Sequence, residues 1–185
     1  MTGLYILLGL LALGALWAVV AYNALVSSRN KVDESWSGVD VQLKRRHDLV
    51  PNLVETVKGY ASHERATLEA VTQARGAAEA AAGGPDEVER AEARLTTALG
   101  AVNALAEAYP ELRAAESYQK LQGELTEIED EIQASRRIYN ANVQAYNTRV
   151  QVFPTLLIAG PMSFRTRDFF EIEVAAERAV PRVAF

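Results

Sequence analysis

The chain has 185 residues, of which 49% are hydrophobic and 23% charged, a length that suits one domain plus a membrane anchor. Its formal net charge of −5 provides no overall positive field, and this argues against nucleic acid as a partner. The absence of cysteine excludes disulfides, thiolate nucleophiles and cysteine-based metal sites. Aromatic residues make up only 8%, and alanine is frequent in the middle of the chain, so helices are favoured over a sheet.

The first predicted element is a transmembrane anchor over residues 1–22. Residues 3–22 carry no charge, and as a helix they extend roughly 30 Å, the thickness of a hydrocarbon core. Trp17 and Tyr22 suit the aromatic belt at the interface. A cleaved signal peptide is the alternative, but Met1 and Thr2 supply no basic residue and no small-residue cleavage site follows. We therefore expect an uncleaved span.

The distribution of basic residues predicts the orientation of this span. No Lys or Arg precedes it, whereas Arg29 and Lys31 follow it closely and the Lys44–Arg46 cluster comes later. The positive-inside rule then places the N-terminus outside and the helical domain in the cytoplasm.

An all-α fold is predicted for residues 23–153, in which the transmembrane helix continues into an antiparallel, coiled-coil-like bundle of about four long helices. Apolar residues recur at steps of three and four, with no strand alternation. Proline and glycine supply the expected helix boundaries. The first predicted helix ends near Val50, and the second spans 51–82. The third follows the break at Gly83–Gly84–Pro85–Asp86 and stops at Tyr109–Pro110, and the fourth spans 111–152.

The last long helix carries a heptad pattern from Tyr118 to Phe153, including the repeat Tyr139–Ala145 and Tyr146–Val152. The asparagines of this repeat favour hydrogen bonding between helices of one chain or, alternatively, an oligomer contact. The candidate interface residues here are Tyr139, Asn140, Tyr146 and Asn147. A short tail, residues 154–185, is expected to pack on the bundle or to touch the membrane surface.

A second candidate interface lies on the first helix. Its residues are Trp36, Asp40, Lys44, Arg45 and Arg46. They are interpreted either as a solvated helix face with an ion pair from Asp40 to Lys44, or as a contact with a partner or with lipid head groups.

Little in the sequence indicates catalysis. His63–Glu64 begins a zinc-protease pattern, but Thr67 stands where the second histidine is required. His47 is the only other histidine, and both are interpreted as exposed or capping residues. No phosphate-binding glycine loop is present. We predict a protein that is not an enzyme, with no cofactor, no metal site and no small-molecule substrate; the alternative is a hydrolase using His63, Glu64 and an acidic partner.

Long blocks of the sequence resemble the LemA family. The matching blocks are Tyr22–Asn23, Glu34–Val54, Val57–Glu64, Tyr109–Leu112, Glu129–Arg137, the tyrosine–asparagine repeat and Phe153–Pro154. The tail departs from the family pattern, since Leu156 stands where an asparagine is usual.

The resemblance implies a bacterial single-pass membrane protein with a cytoplasmic helical bundle and no known reaction. It also implies links to membrane-bound metalloproteases, envelope stress and, in some bacteria, intracellular membrane organelles. The function expected is therefore a membrane-anchored scaffold or adaptor that forms homo-oligomers or binds membrane proteins. A signalling or lipid-sensing subunit is the alternative.

Overall fold

A computed structural model describes residues 1–171, and every described secondary-structure element is a helix. This confirms the predicted all-α class. The helices are α1 (Thr2–Tyr60), α2 (Arg65–Ala80), α3 (Pro85–Ala108), α4 (Pro110–Ala114), α5 (Glu116–Gln151) and α6 (Leu156–Ala159). The last part of the predicted tail, residues 172–185, lies outside the described residues.

The first helix does not end at Val50, contrary to prediction. Pro51 lies inside α1, which continues to Tyr60. A proline within a helix leaves the carbonyl four residues earlier without its usual N–H donor, and at Pro51 that carbonyl belongs to His47. The Arg75 Nε–H donates to the His47 oxygen at 2.8 Å instead. A tertiary contact thus replaces the missing helical hydrogen bond.

The predicted helix over 51–82 is likewise interrupted, at residues 61–64. Here α2 turns back along the end of α1, so that Leu68 and Val71 join Leu53 and Val57 in one buried cluster. No proline or paired glycine marks this turn, and its position is set by burial.

A further break that the sequence did not reveal separates α4 from α5 at Ala115, whose backbone is extended. In contrast, the break at Gly83–Gly84–Pro85–Asp86 is confirmed, because α2 ends at Ala80 and α3 begins at Pro85. Gly84 has a φ of 119°, which a residue with a side chain rarely adopts.

The described residues fall into two compact units. The anchor unit comprises Met1–Gly38 and Arg137–Asp168, and the core unit comprises Val39–Arg136 and residues 169–171. In the anchor unit α1 and α5 are antiparallel, because Asn142 contacts Lys31 while Arg149 contacts Ala24.

The core unit buries the main hydrophobic cluster. Its innermost members, each at most 1% exposed, include Leu53, Val57, Val71, Leu95 and Leu112. α2 packs against α3. The α5 part of this unit runs antiparallel to α3, since Tyr118 and Gln122 both donate to Asn103 Oδ1, whereas Glu92 and Glu129 meet at Arg46.

Candidate functional site

The N-terminal part of α1 exposes its side chains almost completely. Leu4, Ile6, Leu10 and Leu13 are each 58–65% exposed. Among the described helices, α1 is long and apolar enough to cross a membrane. A helix that is apolar all round and unburied in its own chain needs an apolar solvent. These properties mark the segment as a single-pass membrane anchor.

The two aromatic candidates Trp36 and Tyr139 meet within the anchor unit. Their rings are tilted by 58° with centroids 5.2 Å apart, a geometry that aromatic pairs favour. Tyr139 is 3% exposed, and its hydroxyl donates to the Asp168 carbonyl at 2.9 Å. The structure therefore uses Tyr139 to join α5 to both α1 and the segment that follows α6.

Asn147 holds the backbone of the same segment. Its Nδ2 donates to the Arg167 carbonyl and its Oδ1 accepts from the Arg167 N–H, both at 2.8 Å. The Arg167 guanidinium in turn pairs with Asp33 on α1 at 3.0 Å. Asn147 thus fixes the segment after α6 to α5, and the interpretation of the repeat as an oligomer contact stays a prediction.

Tyr146 and Asn140 complete the set of candidates on the repeat. Tyr146 is 1% exposed, and its burial raises the pKa of the phenol above its ordinary value of 10.0, an effect that the charges of Arg167 and Arg29 oppose. Asn140 is half-buried. The tyrosines are therefore interior residues of the helix pair.

Some charged candidates on α1 lie at the surface and one lies in the interior. Asp40, Lys44 and Arg45 are exposed, and Arg45 donates to Gln42 Oε1 at 3.1 Å. The expected ion pair between Asp40 and Lys44 is not among the contacts of the described residues. Arg46, however, is only 4% exposed. It is therefore not part of a surface patch.

Arg46 belongs to a buried polar cluster that the sequence interpretation missed. Its Nη1 lies 3.3 Å from Glu92 Oε2 and 3.5 Å from Glu129 Oε2, and its Nη2 donates to Thr96 Oγ1 at 2.8 Å. Glu92 is fully buried, and its other oxygen lies 2.6 Å from His47 Nε2. We refer to Arg46, His47, Glu92 and Thr96 as the polar cluster.

His47 corrects a prediction, because it is 7% exposed and bonded to Glu92, not an exposed or capping residue. A buried carboxylate requires charge and hydrogen-bond partners, and the polar cluster supplies both. With its carbonyl bonded to Arg75, His47 also connects α1 to α2 as well as α3.

A sequence signal for the polar cluster does exist. On α1 the core positions Leu43, Arg46 and Val50 follow steps of three and four. On α3, Glu92 stands at the same kind of position, four residues after Val88 and three before Leu95. Opposite charges at core positions of two heptad patterns predict a buried pair when they are considered together.

The residues of the hydrolase hypothesis are not arranged around a metal. His63 is exposed, and Glu64 accepts the Tyr109 hydroxyl at 3.2 Å. This hydrogen bond, with a smaller contribution from burial, raises the pKa of Tyr109 above 10.0. Within residues 1–171, no group of three potential ligands is placed to hold a metal ion.

Comparison with known proteins identifies the family. Residues 35–185 match the LemA family. The chain belongs to this family. The match begins on α1 after the anchor and includes every residue of the polar cluster as well as the tyrosine–asparagine repeat. The resemblance stated from the sequence is thereby confirmed.

Individual relatives cover most of the chain. Protein LemA of Metamycoplasma hominis is 25% identical over 97% of this chain and 80% of its own length. Magnetosome protein MamQ of Magnetospirillum gryphiswaldense is 24% identical over 88% of this chain and 69% of its own length. Magnetosome protein MamQ 2 of Paramagnetospirillum magneticum gives the same values.

Proposed function

We propose that this LemA-family protein is a membrane-anchored adaptor that self-associates in the plane of the membrane and binds other membrane proteins. It acts by binding, without a chemical step of its own. The observation that carries the proposal is the continuity of α1, which is one helix from Thr2 to Tyr60. A partner that binds the helical domain is held to the bilayer because anchor and bundle share one helix.

Two further observations support a binding role. Asp40, Lys44 and Arg45 are exposed on α1, so their charges are available to another protein. Three of the relatives are named as magnetosome proteins, and an adaptor role is compatible with membership of a protein assembly. Membrane-bound proteases are the partner class that the family resemblance implies.

The test of self-association is the native mass of the full chain extracted from its own membrane into nanodiscs. We expect a species heavier than the 20.2 kDa monomer, or a stable complex with another membrane protein. A lone monomer under these conditions would contradict the proposal. A variant with Asp40, Lys44 and Arg45 changed to alanine should lose partners, whereas the exposed Lys120→Ala should not.

The orientation in the proposal places the helical domain in the cytoplasm. Because the chain has no cysteine, single-cysteine variants report position without interference. We expect a membrane-impermeant maleimide to label Thr2→Cys in intact cells and to label Glu79→Cys only after lysis. The reverse pattern would place the helical domain outside.

A further inference from the structure

A short segment of the anchor unit combines low polarity with high exposure. Residues 152–163, here called the apolar loop, contain no charged side chain. Its exposed apolar residues, each 45–78% accessible, are Val152, Phe153, Leu156, Leu157 and Met162. On a protein surrounded by water, a patch of this kind marks an interaction site.

The apolar loop starts and ends at the level where α1 leaves its apolar segment. Just before the loop, the Arg149 Nη1 donates to the Ala24 carbonyl at 3.1 Å. Just after it, the Phe164 ring packs edge-on against Tyr22 with centroids 5.7 Å apart. Since α5 is antiparallel to α1, its C-terminal end points toward the α1 N-terminus, and both ends of the loop are held beside residues 22–24, where the apolar segment of α1 ends.

Most backbone N–H groups of the loop are paired locally. Every N–H from Leu156 to Phe164 donates to a carbonyl of residues 152–160, apart from Pro161, which has none. The Thr155 hydroxyl donates back to carbonyls in the same way. Such pairing is compatible with insertion into hydrocarbon, where each unpaired backbone group costs several kcal/mol.

Basic residues flank the loop in the anchor unit. Arg149 and Arg165 are exposed on either side of it, and the Arg29 guanidinium lies 5.5 Å from the centre of the Phe164 ring. The unit as a whole has six Lys or Arg against three Asp or Glu, a net charge of +3. Basic side chains beside an apolar insertion favour anionic lipid head groups.

We infer that the apolar loop is a second membrane-binding element, which inserts its exposed side chains into the same leaflet that α1 enters. Its occupant is the lipid bilayer, and the flanking arginines contact anionic head groups. This inference requires α1 to be inserted, but it does not depend on self-association or on a protein partner.

The experiment uses the full chain in nanodiscs containing anionic lipid, with a polarity-sensitive fluorophore on a single cysteine. Leu157→Cys tests the loop, and Leu11→Cys reports the anchor. Ile138→Cys is a matched control, because Ile138 is 60% and Leu157 62% exposed, yet Ile138 lies about 20 Å earlier along α5 at 1.5 Å per residue.

We expect lipid-borne nitroxide quenchers to reduce the Leu157 signal much as they reduce that of Leu11, and aqueous iodide to quench only Ile138. Quenching of Leu157 by iodide, as strong as for Ile138, would overturn the inference. Protection of Leu157 from both quenchers would indicate a protein contact and would also overturn it. An unprotected Leu11 would refute the anchor itself, and the loop with it.

Discussion

The two units of the molecule share α1 and α5 but are stabilised by different contacts. The core unit buries a large hydrophobic cluster and, within it, the fully buried Glu92. The anchor unit has a narrow interior between α1 and α5, and much of its order comes from side chains that bond to backbone carbonyls, as Arg149, Tyr139 and Asn147 do.

Charge separates the units as well. The anchor unit has a net charge of +3, whereas residues 39–136 and 169–171 have eleven Lys or Arg against nineteen Asp or Glu, a net charge of −8. Membrane surfaces that contain anionic lipid attract basic side chains, so the charge of the anchor unit is compatible with its place beside the membrane anchor. The overall charge of −5 therefore conceals an uneven distribution of charge between the two units.

The largest effect is expected where the core unit buries charge. In Glu92→Ala, Arg46 and His47 lose their buried partner, and breaking a buried ion pair in this way costs about 3–5 kcal/mol. The free energy of unfolding should fall by that amount, measured as a large drop in Tm by circular dichroism in nanodiscs. Glu107→Ala, an exposed change on the same helix, is the control and should have little effect.

A paired replacement tests whether this cost comes from uncompensated charge. In Arg46→Met with Glu92→Leu both charges are removed together, and apolar replacement of a whole buried pair is often neutral or stabilising by about 1–4 kcal/mol. We expect the double variant to recover most of the lost stability. A Tm as low as that of Glu92→Ala would show instead that the core needs the polar side chains themselves.

An intermediate effect is expected at the proline in α1. Arg75→Ala removes the donor to the His47 carbonyl, and an unsatisfied buried acceptor costs about 1–3 kcal/mol. In a Pro51→Ala background the alanine N–H restores the helical bond to this carbonyl. The cost of Arg75→Ala should therefore be smaller there, and a double-mutant cycle of Tm values measures the coupling. Strictly additive effects would contradict our account of Pro51.

The smallest effect is expected in the anchor unit, where contacts are peripheral. Asn147→Ala loses two hydrogen bonds to Arg167, each worth only about 0.5 kcal/mol because both are exposed to water. Hydrogen exchange at the Arg167 amide should accelerate, with little change in the core unit. Asn147→Asp keeps the acceptor for that amide and should preserve its protection. An equal loss of protection in the core unit would show that the two units unfold together.

Much of the fold was predictable because it depends on local signals. The all-α class follows from the three-and-four spacing of apolar residues, and the break before α3 follows from Gly84 and Pro85. The anchor was also recognisable, since about 20 uncharged residues at the N-terminus require nothing from the rest of the chain. The family resemblance came from the Glu34–Val54 block, which is a run of consecutive residues.

The helical class, the anchor and the family resemblance all follow from local patterns in the sequence. The three-dimensional fold was needed to establish that α1 continues through Pro51, that Arg46 and His47 are buried, and that Glu92 is their partner. The reason is distance along the chain. Arg75 replaces the bond that Pro51 loses from 24 residues away, and Glu92 meets Arg46 from 46 residues away. Helix propensity and the spacing of residues within one helix do not predict contacts between residues so far apart in the sequence.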